Sequence, residues 1–140
     1  MKLDLISLKR AIGSMEKALQ ITEGKFIQQD ISTDEIELLK AGVIQNFEIT
    51  YELCWKFMKR WIESNVSAEV VDGVPRKELF RLAAENRLIT DVDEWMEYHR
   101  ARNISSHIYD HKISDEVYQI SQKFSGAASQ LLKNLEMRND

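Results

Sequence analysis

Hydrophobic residues recur along this chain at alternating steps of three and four, the spacing that places side chains on one face of an α-helix. The first such series contains Leu5, Leu8, Ile12, Met15 and Leu19. The period is lost from Glu23 to Ile31, and Ser32 with Glu35 three residues later then forms a capping-box pattern. We therefore predict a first helix over residues 2–22 and a second helix that begins at Ser32.

The second predicted helix carries two lines of apolar residues instead of one. The first line contains Val43, Phe47, Thr50, Cys54, Phe57 and Trp61, and the second contains Ile44, Tyr51, Trp55, Met58 and Ile62. A helix with so wide an apolar surface is either central to a bundle or divided between the core and a subunit interface. We favour the second alternative and expect a homodimer formed through this helix.

Three further helices are indicated in the second half of the chain. Pro75 suits the first turn of a short helix over residues 75–86. Asp91 can cap a fourth helix, and Ser114 can cap a last one. The apolar residues that repeat along the last helix are Val117, Ile120, Phe124, Ala127, Leu131 and Leu135.

Composition narrows the class of protein. The 140 residues are 44% hydrophobic and include only five Gly and one Pro, so strand and turn signals are sparse. We predict an all-α fold, an antiparallel up-and-down bundle of four or five helices, in a single domain over residues 1–140. The lone cysteine favours a reducing compartment, and the N-terminus lacks the apolar run of a signal peptide or membrane span. We expect a soluble cytoplasmic protein without a membrane partner.

Residues 98–111 concentrate all three histidines of the chain and two of its arginines. On a regular helix His99, Asn103 and His107 share one face, because they are four residues apart. The Asn103 amide could then hold the His107 ring through a hydrogen bond.

Arg102 does not share that face. It lies about 140° from His107 around an unbroken helix. The two side chains converge on one ligand only if the helix ends or distorts near Ser105 and Ser106, or if two subunits each contribute one of them.

Such a pair suits phosphodiester chemistry, because a guanidinium binds a phosphate and an imidazole transfers protons near neutral pH. A ribonuclease of this kind uses the 2′-hydroxyl of RNA as the nucleophile, leaves a cyclic phosphate and needs no metal, and DNA is inert to it. The net charge of −4 argues against non-specific binding of nucleic acid, so an RNA contact must be local.

Two other interpretations of the same residues remain open. An arginine and a histidine near a helix end can simply cap carbonyls or pair with an acid such as Asp110. His107 and His111, with His99, have a spacing that zinc can use, but they lie on both sides of the predicted break and lack a neighbouring carboxylate set. We expect no metal and no cofactor.

Three segments resemble the nucleotidyltransferase substrate-binding protein family, which belongs to the HEPN superfamily. They read FEITYELCWK over residues 47–56, PRKELFRLA over residues 75–83, and Trp95 followed by RNISSHIY over residues 102–109. The likeness runs over nearly the whole chain in the same order. It is therefore far more specific than an R-x4-H-x-Y pattern alone.

The resemblance implies a HEPN-like antiparallel helical bundle that dimerises and forms a complex with a small MNT-type nucleotidyltransferase. It also implies a ribonuclease toxin that the partner inhibits by adenylylating the tyrosine of the motif. Carried over to this chain, Arg102 and His107 become the catalytic pair, Asn103 the polar residue that orients them, and Tyr109 the modified residue. The chain lacks the Gly-Ser and paired-aspartate signature of a nucleotidyltransferase, so we do not expect it to transfer nucleotides itself.

Three functions are compatible with these features of the sequence, and we give them in order of preference. The first is a metal-independent endoribonuclease toxin, indicated by the complete motif. The second is a non-catalytic substrate-binding or adaptor subunit of a nucleotidyltransferase complex, which the negative charge and the apolar second helix favour. The third is a purely structural dimer.

Overall fold

The computed structural model describes residues 2–28 and 30–139, and this part of the chain contains five α-helices. They are α1 (Ile6–Ile27), α2 (Thr33–Asn65), α3 (Arg76–Glu85), α4 (Val92–Ile104) and α5 (His111–Met137). Two short 3₁₀ turns, Glu69–Val71 and Ser105–His107, lie between them. The predicted all-α, antiparallel helical bundle is confirmed.

The start of α2 agrees with the sequence pattern. The Ser32 hydroxyl accepts a hydrogen bond from the Glu35 amide at 3.1 Å, and Glu35 Oε1 accepts one from the Ser32 amide at 3.3 Å. This reciprocal capping box satisfies two backbone donors that the first helical turn would otherwise leave unpaired. The predicted cap of α4 is also confirmed, since the Asp91 side chain accepts from the Glu94 amide. Helix α3 begins at Arg76, so Pro75 lies at its N-cap position and not in its first turn.

Three predicted boundaries are wrong. Helix α1 begins at Ile6 instead of residue 2. Helix α1 continues to Ile27 instead of ending at residue 22, and Phe26 in its last turn packs 5.9 Å from the Tyr118 ring of α5. Helix α5 is capped by Asp110, which accepts from the Lys112 and Ile113 amides, whereas Ser114 lies inside the first turn. The end of α1 and the start of α5 each involve a contact that the hydrophobic period cannot reveal: the Phe26–Tyr118 ring contact and the Asp110 cap.

Helix α2 lies at the centre of the bundle and contacts each of the other four helices. Both of its predicted apolar lines are buried in the chain's own core, with the exception of the half-buried Trp55. Our expectation that half of this surface forms a subunit interface is therefore wrong for these two lines. The large apolar residues that α2 leaves exposed, Leu38 and Ile49, belong to a different stripe.

The aromatic ring of Phe124 on α5 fixes α4 against the rest of the bundle. Its centroid lies 5.1 Å from Phe47 of α2 and 5.0 Å from Tyr98 of α4, both in edge-on contacts, and 5.7 Å from Trp95. Each such pair contributes roughly 0.5–1.5 kcal/mol beyond the burial of its area. The C-terminal end of α4, which carries the motif, is thus held at a defined place beside α2.

None of the helices within residues 2–28 and 30–139 is both long enough and apolar enough to cross a membrane.

Candidate active site at the end of the fourth helix

The motif lies where α4 ends and α5 begins. The α-helix stops at Ile104, a 3₁₀ turn covers Ser105–His107, and Asp110 caps the next helix. Of the two conditions given for convergence, the distortion at the paired serines is therefore present. The Ser105 hydroxyl, which is buried, lies 2.8 Å from the Arg102 carbonyl oxygen and 2.5 Å from Glu48 Oε2. A serine that bonds to backbone in this way competes with the regular helical ladder.

Arg102 lies against two carboxylates of α2. Its Nη1 donates to Glu48 Oε2 at 3.0 Å, and its Nε lies 3.3 Å from Glu52 Oε1, at ion-pair distance but without hydrogen-bond geometry. Because the two glutamates are four residues apart, they form one acidic face of α2. In this chain the guanidinium is therefore neutralised and positioned by the protein itself.

Sequence reasoning missed both glutamates. They lie in the segment over residues 47–56 that carries the family resemblance, and their i, i+4 spacing was the signal that they share a helix face. A cavity beside them is open to solvent, and its lining consists of Gln45, Glu48, Ile49, Glu52, Leu53 and Arg102. Arg102 thus faces the exposed stripe of α2.

His107 and Tyr109 form a second, exposed pair. His107 Nδ1 lies 3.3 Å from the Tyr109 hydroxyl oxygen, and the two rings meet edge-on with centroids 5.9 Å apart. Tyr109 is 81% exposed, which is exceptional for so large a side chain. Its other side borders a cavity lined by Glu37, Ala41, Ile108, His111 and Ser114.

The predicted hydrogen bond between the Asn103 amide and the His107 ring is not formed. The 3₁₀ turn removes His107 from the helical stripe, and the Asn103 amide nitrogen lies 3.4 Å from His99 Nε2 instead. His99 Nδ1 lies 2.8 Å from the Tyr51 hydroxyl. Burial, and then the positive charge of Arg76, lower the pKa of His99. The two ring nitrogens of His99 are thus occupied by the Tyr51 hydroxyl and the Asn103 amide.

The structure brings the motif residues to one end of the bundle without joining them in one pocket. Arg102 lines the cavity beside α2, Tyr109 lines the one beside Glu37, and His107 lines neither. The helix break is thus present, but within one chain the arginine and the histidine face different surfaces.

A metal centre finds no support among these side chains. Within residues 2–28 and 30–139 there is no cluster of three or more His, Cys, Asp or Glu side chains placed to hold an ion. His111, which the zinc alternative would use, lies instead 3.4 Å from Glu37 Oε1.

Comparison with known proteins bears on the family and the fold of this chain. The family described as nucleotidyltransferase substrate binding protein like matches residues 3–137. A relative from Haemophilus influenzae, named "Probable ribonuclease HepT", is 34% identical over 140 residues, which cover 99% of this chain and 95% of the relative.

Two solved structures share the fold. One, also from Haemophilus influenzae, is described as the fold of a substrate binding domain of a nucleotidyltransferase. It has a TM-score of 0.89 at 30% identity and covers 95% of this chain and 99% of its own. A protein from Thermus thermophilus has a TM-score of 0.63 at 24% identity over 86% of this chain and 98% of its own. The second shows likeness of fold alone.

Proposed function

Because this chain belongs to the nucleotidyltransferase substrate binding protein like family, we propose that it is a metal-independent endoribonuclease toxin of the HEPN type. Its nucleotidyltransferase partner inhibits it by adenylylating Tyr109. The observation that carries the proposal is the exposed pair of His107 and Tyr109, whose side chains lie 3.3 Å apart at the break that follows the helix carrying Arg102. A 34% identical relative named as a probable ribonuclease supports the same class of activity.

The proposed reaction needs only RNA and these side chains. His107 accepts the proton of a 2′-hydroxyl as that oxygen attacks the adjacent phosphorus, and the bond from phosphorus to the 5′-oxygen breaks. The products are a 2′,3′-cyclic phosphate and a 5′-hydroxyl, which takes up a proton. Arg102 stabilises the negative charge that develops on the phosphoryl oxygens. Asn103, which contacts His99 and not His107, supplies a polar group that helps to orient the RNA.

A homodimer supplies the convergence that one chain lacks. Arg102 faces the α2 surface that exposes Ile49 and part of Leu53, and we propose that two copies associate there. Pairing across this stripe allows the arginine of one subunit to act with the histidine of the other. The interface then differs from the two buried apolar lines of α2, although the helix is the one predicted.

Adenylylation of Tyr109 follows from its exposure and its neighbour. The phenolic oxygen attacks the α-phosphorus of ATP in the partner's active site, loses its proton and releases pyrophosphate. The new phosphodiester anion then occupies the position beside His107, where an RNA phosphate must bind.

We also propose that the chain acts in the cytoplasm and that residues 1–140 form one domain.

Cleavage of RNA by the purified chain tests the catalytic part. We expect cleavage in the presence of a chelator, with products that end in a cyclic phosphate, and loss of the activity in His107→Ala. His111→Ala is the matched control, because His111 is also exposed and lies only four residues away. Equal cleavage by wild type and His107→Ala would mean that the activity belongs to a contaminant.

A second function has its own support. Glu48 and Glu52 already neutralise Arg102 within the chain, which fits a substrate-binding or adaptor subunit that only presents a ligand to the nucleotidyltransferase. The neighbour of known structure that is described as a substrate binding domain points the same way. Tight complex formation with the partner, without cleavage of RNA by any preparation, would favour this function.

A further inference from the structure

Arg76 at the first turn of α3 is stacked on the indole ring of Trp55. Its guanidinium carbon lies 3.6 Å from the centre of the Trp55 ring, which is the closest cation–aromatic contact in the described residues. Both side chains are half-buried. The ring holds the guanidinium flat and limits its motion, so this arginine is more ordered than one that extends into solvent.

The stacked guanidinium has the neutral Tyr51 hydroxyl as a neighbour, and it is short of charged partners. Its Nε is sealed from solvent and makes no hydrogen bond, and among residues 2–28 and 30–139 no carboxylate forms an ion pair with it. Taking a cation partly out of water without a counter-ion is unfavourable, and an anion at this place removes that cost. The Nε of Arg102 also lacks a hydrogen bond, but Arg102 differs in charge balance, because it forms ion pairs with two glutamates.

Contacts connect Arg76 to the motif on two sides. The Trp55 indole donates to Glu52 Oε2 at 2.9 Å, and the other oxygen of Glu52 faces Arg102. The charge of Arg76 also lowers the pKa of His99, the ring that Asn103 contacts. The stacked pair is therefore adjacent to the proposed active site.

Three lysines lie close to the Arg76–Trp55 pair in space or in sequence. Lys56 Nζ lies 5.7 Å from the centre of the Trp55 ring, Lys59 lies four residues after Trp55 on α2, and Lys77 follows Arg76. Within the described residues none of these three lysines forms an ion pair. Unpaired cations together with an aromatic ring are the features with which proteins bind the backbone of a single-stranded nucleic acid.

We propose that Arg76, Trp55 and Lys56 form a phosphate-binding subsite for single-stranded RNA, which holds the strand beside the bond that is cut. The inference rests on the proposed ribonuclease function and names the surface along which its substrate lies. The Nη groups of Arg76 bind a backbone phosphate, and the aromatic ring keeps the guanidinium in place.

Binding of an RNA that cannot be cut tests the subsite separately from catalysis. The probe is a fluorescent 2′-O-methyl RNA of roughly 12 nucleotides, which keeps the phosphates and bases but lacks the nucleophile. We expect Arg76→Gln to weaken binding about tenfold and to reduce the slope of log K against log salt by about 0.7, the value for one phosphate contact. Arg81→Gln is the matched control, because Arg81 is an exposed arginine on the same helix, paired with Glu78.

Two further variants keep the test decisive if Arg76→Gln folds poorly. Arg76→Lys keeps the charge, so we expect it to restore the salt slope while it recovers only part of the affinity. Trp55→Phe should abolish quenching of tryptophan fluorescence by RNA, since the other two tryptophans, Trp61 and Trp95, are buried. A purely structural role of the pair would move the melting temperature and leave the salt slope unchanged.

Specific outcomes contradict the subsite. Equal affinity and salt slope in wild type and a folded Arg76→Gln protein would overturn it, as would ATP that binds at Arg76 as tightly as RNA. Loss of partner binding with unchanged RNA binding in Arg76→Gln would make this surface a protein interface instead. If RNA binds through Arg76 but is never cut, the proposed function fails and the subsite stands. If an Arg76→Gln protein still binds and cuts RNA, the proposed function stands and the subsite fails.

Discussion

His107 Nδ1 and the Tyr109 hydroxyl oxygen lie 3.3 Å apart on the exposed turn between α4 and α5. A group attached to that oxygen must lie next to the imidazole, so a modification of the tyrosine acts directly on the proposed proton-transfer residue. We predict that the partner nucleotidyltransferase and ATP add the mass of AMP to this chain, and that Tyr109→Phe abolishes the addition. Tyr118→Phe is the control, since Tyr118 is buried. An adduct that persists in Tyr109→Phe would place the modification elsewhere.

Glu48 joins α2 to the motif, because it accepts from both Ser105 and Arg102. Glu48→Ala removes one partner from each group, so that the buried Ser105 hydroxyl keeps only the Arg102 carbonyl and the guanidinium keeps only the Glu52 carboxylate. We therefore expect the free energy of unfolding to fall by roughly 1–3 kcal/mol. Urea denaturation followed by circular dichroism measures it. Glu63→Ala, at an exposed site on the same helix, should stay within about 0.5 kcal/mol of wild type. Similar losses in both variants would contradict the linking role of Glu48.

The cap of α5 gives a second stability test. Asp110 accepts from the Lys112 and Ile113 amides, so Asp110→Ala should lower the free energy of unfolding by about 1 kcal/mol. Ser114→Ala removes no cap and should change it by less than about 0.5 kcal/mol. Thermal melts of the two variants side by side decide between them. A larger loss in Ser114→Ala would restore the boundary that the sequence suggested.

Burial raises the pKa of the Cys54 thiol above its ordinary value of 9.0. Above that pH the unfolded chain releases a proton that the folded chain keeps, so the thiol's contribution to stability is complete below it and declines as the pH rises. We expect the free energy of unfolding to decrease from about pH 9 upward, and less steeply in Cys54→Ala. Burial raises the pKa of Tyr51 as well, so some decline should remain in the variant. Identical slopes would show that Cys54 does not contribute.

The sequence pattern was sufficient for the features that local chemistry determines. The capping box at Ser32, the Pro75 start of α3 and the distortion at Ser105 each depend on residues within one helical turn of each other. The site itself depends on longer distances. Arg102 contacts a glutamate 54 positions away in the chain, and His99 contacts a tyrosine 48 positions away. No period or short motif contains such pairs.

The same reason explains the errors. A common helix face for Asn103 and His107 requires a continuous helix. The 3₁₀ turn that begins at Ser105 interrupts the helix and moves His107 out of reach of the Asn103 amide, which contacts His99. The expectation that the apolar surface of α2 is divided between core and interface fails for a related reason. A helix in contact with four others cannot be distinguished, from its own sequence, from one that also faces a second subunit.

Bacterial growth after induced expression of this chain tests the central claim most directly. Wild type, His107→Ala and Tyr109→Phe are each expressed with and without the nucleotidyltransferase partner, with His111→Ala as the control and protein levels checked. We predict arrest by wild type that requires His107, relief of that arrest by the partner, and arrest by Tyr109→Phe that the partner cannot relieve. Growth without arrest in every well-expressed version, or arrest that persists in His107→Ala, would contradict the toxin account.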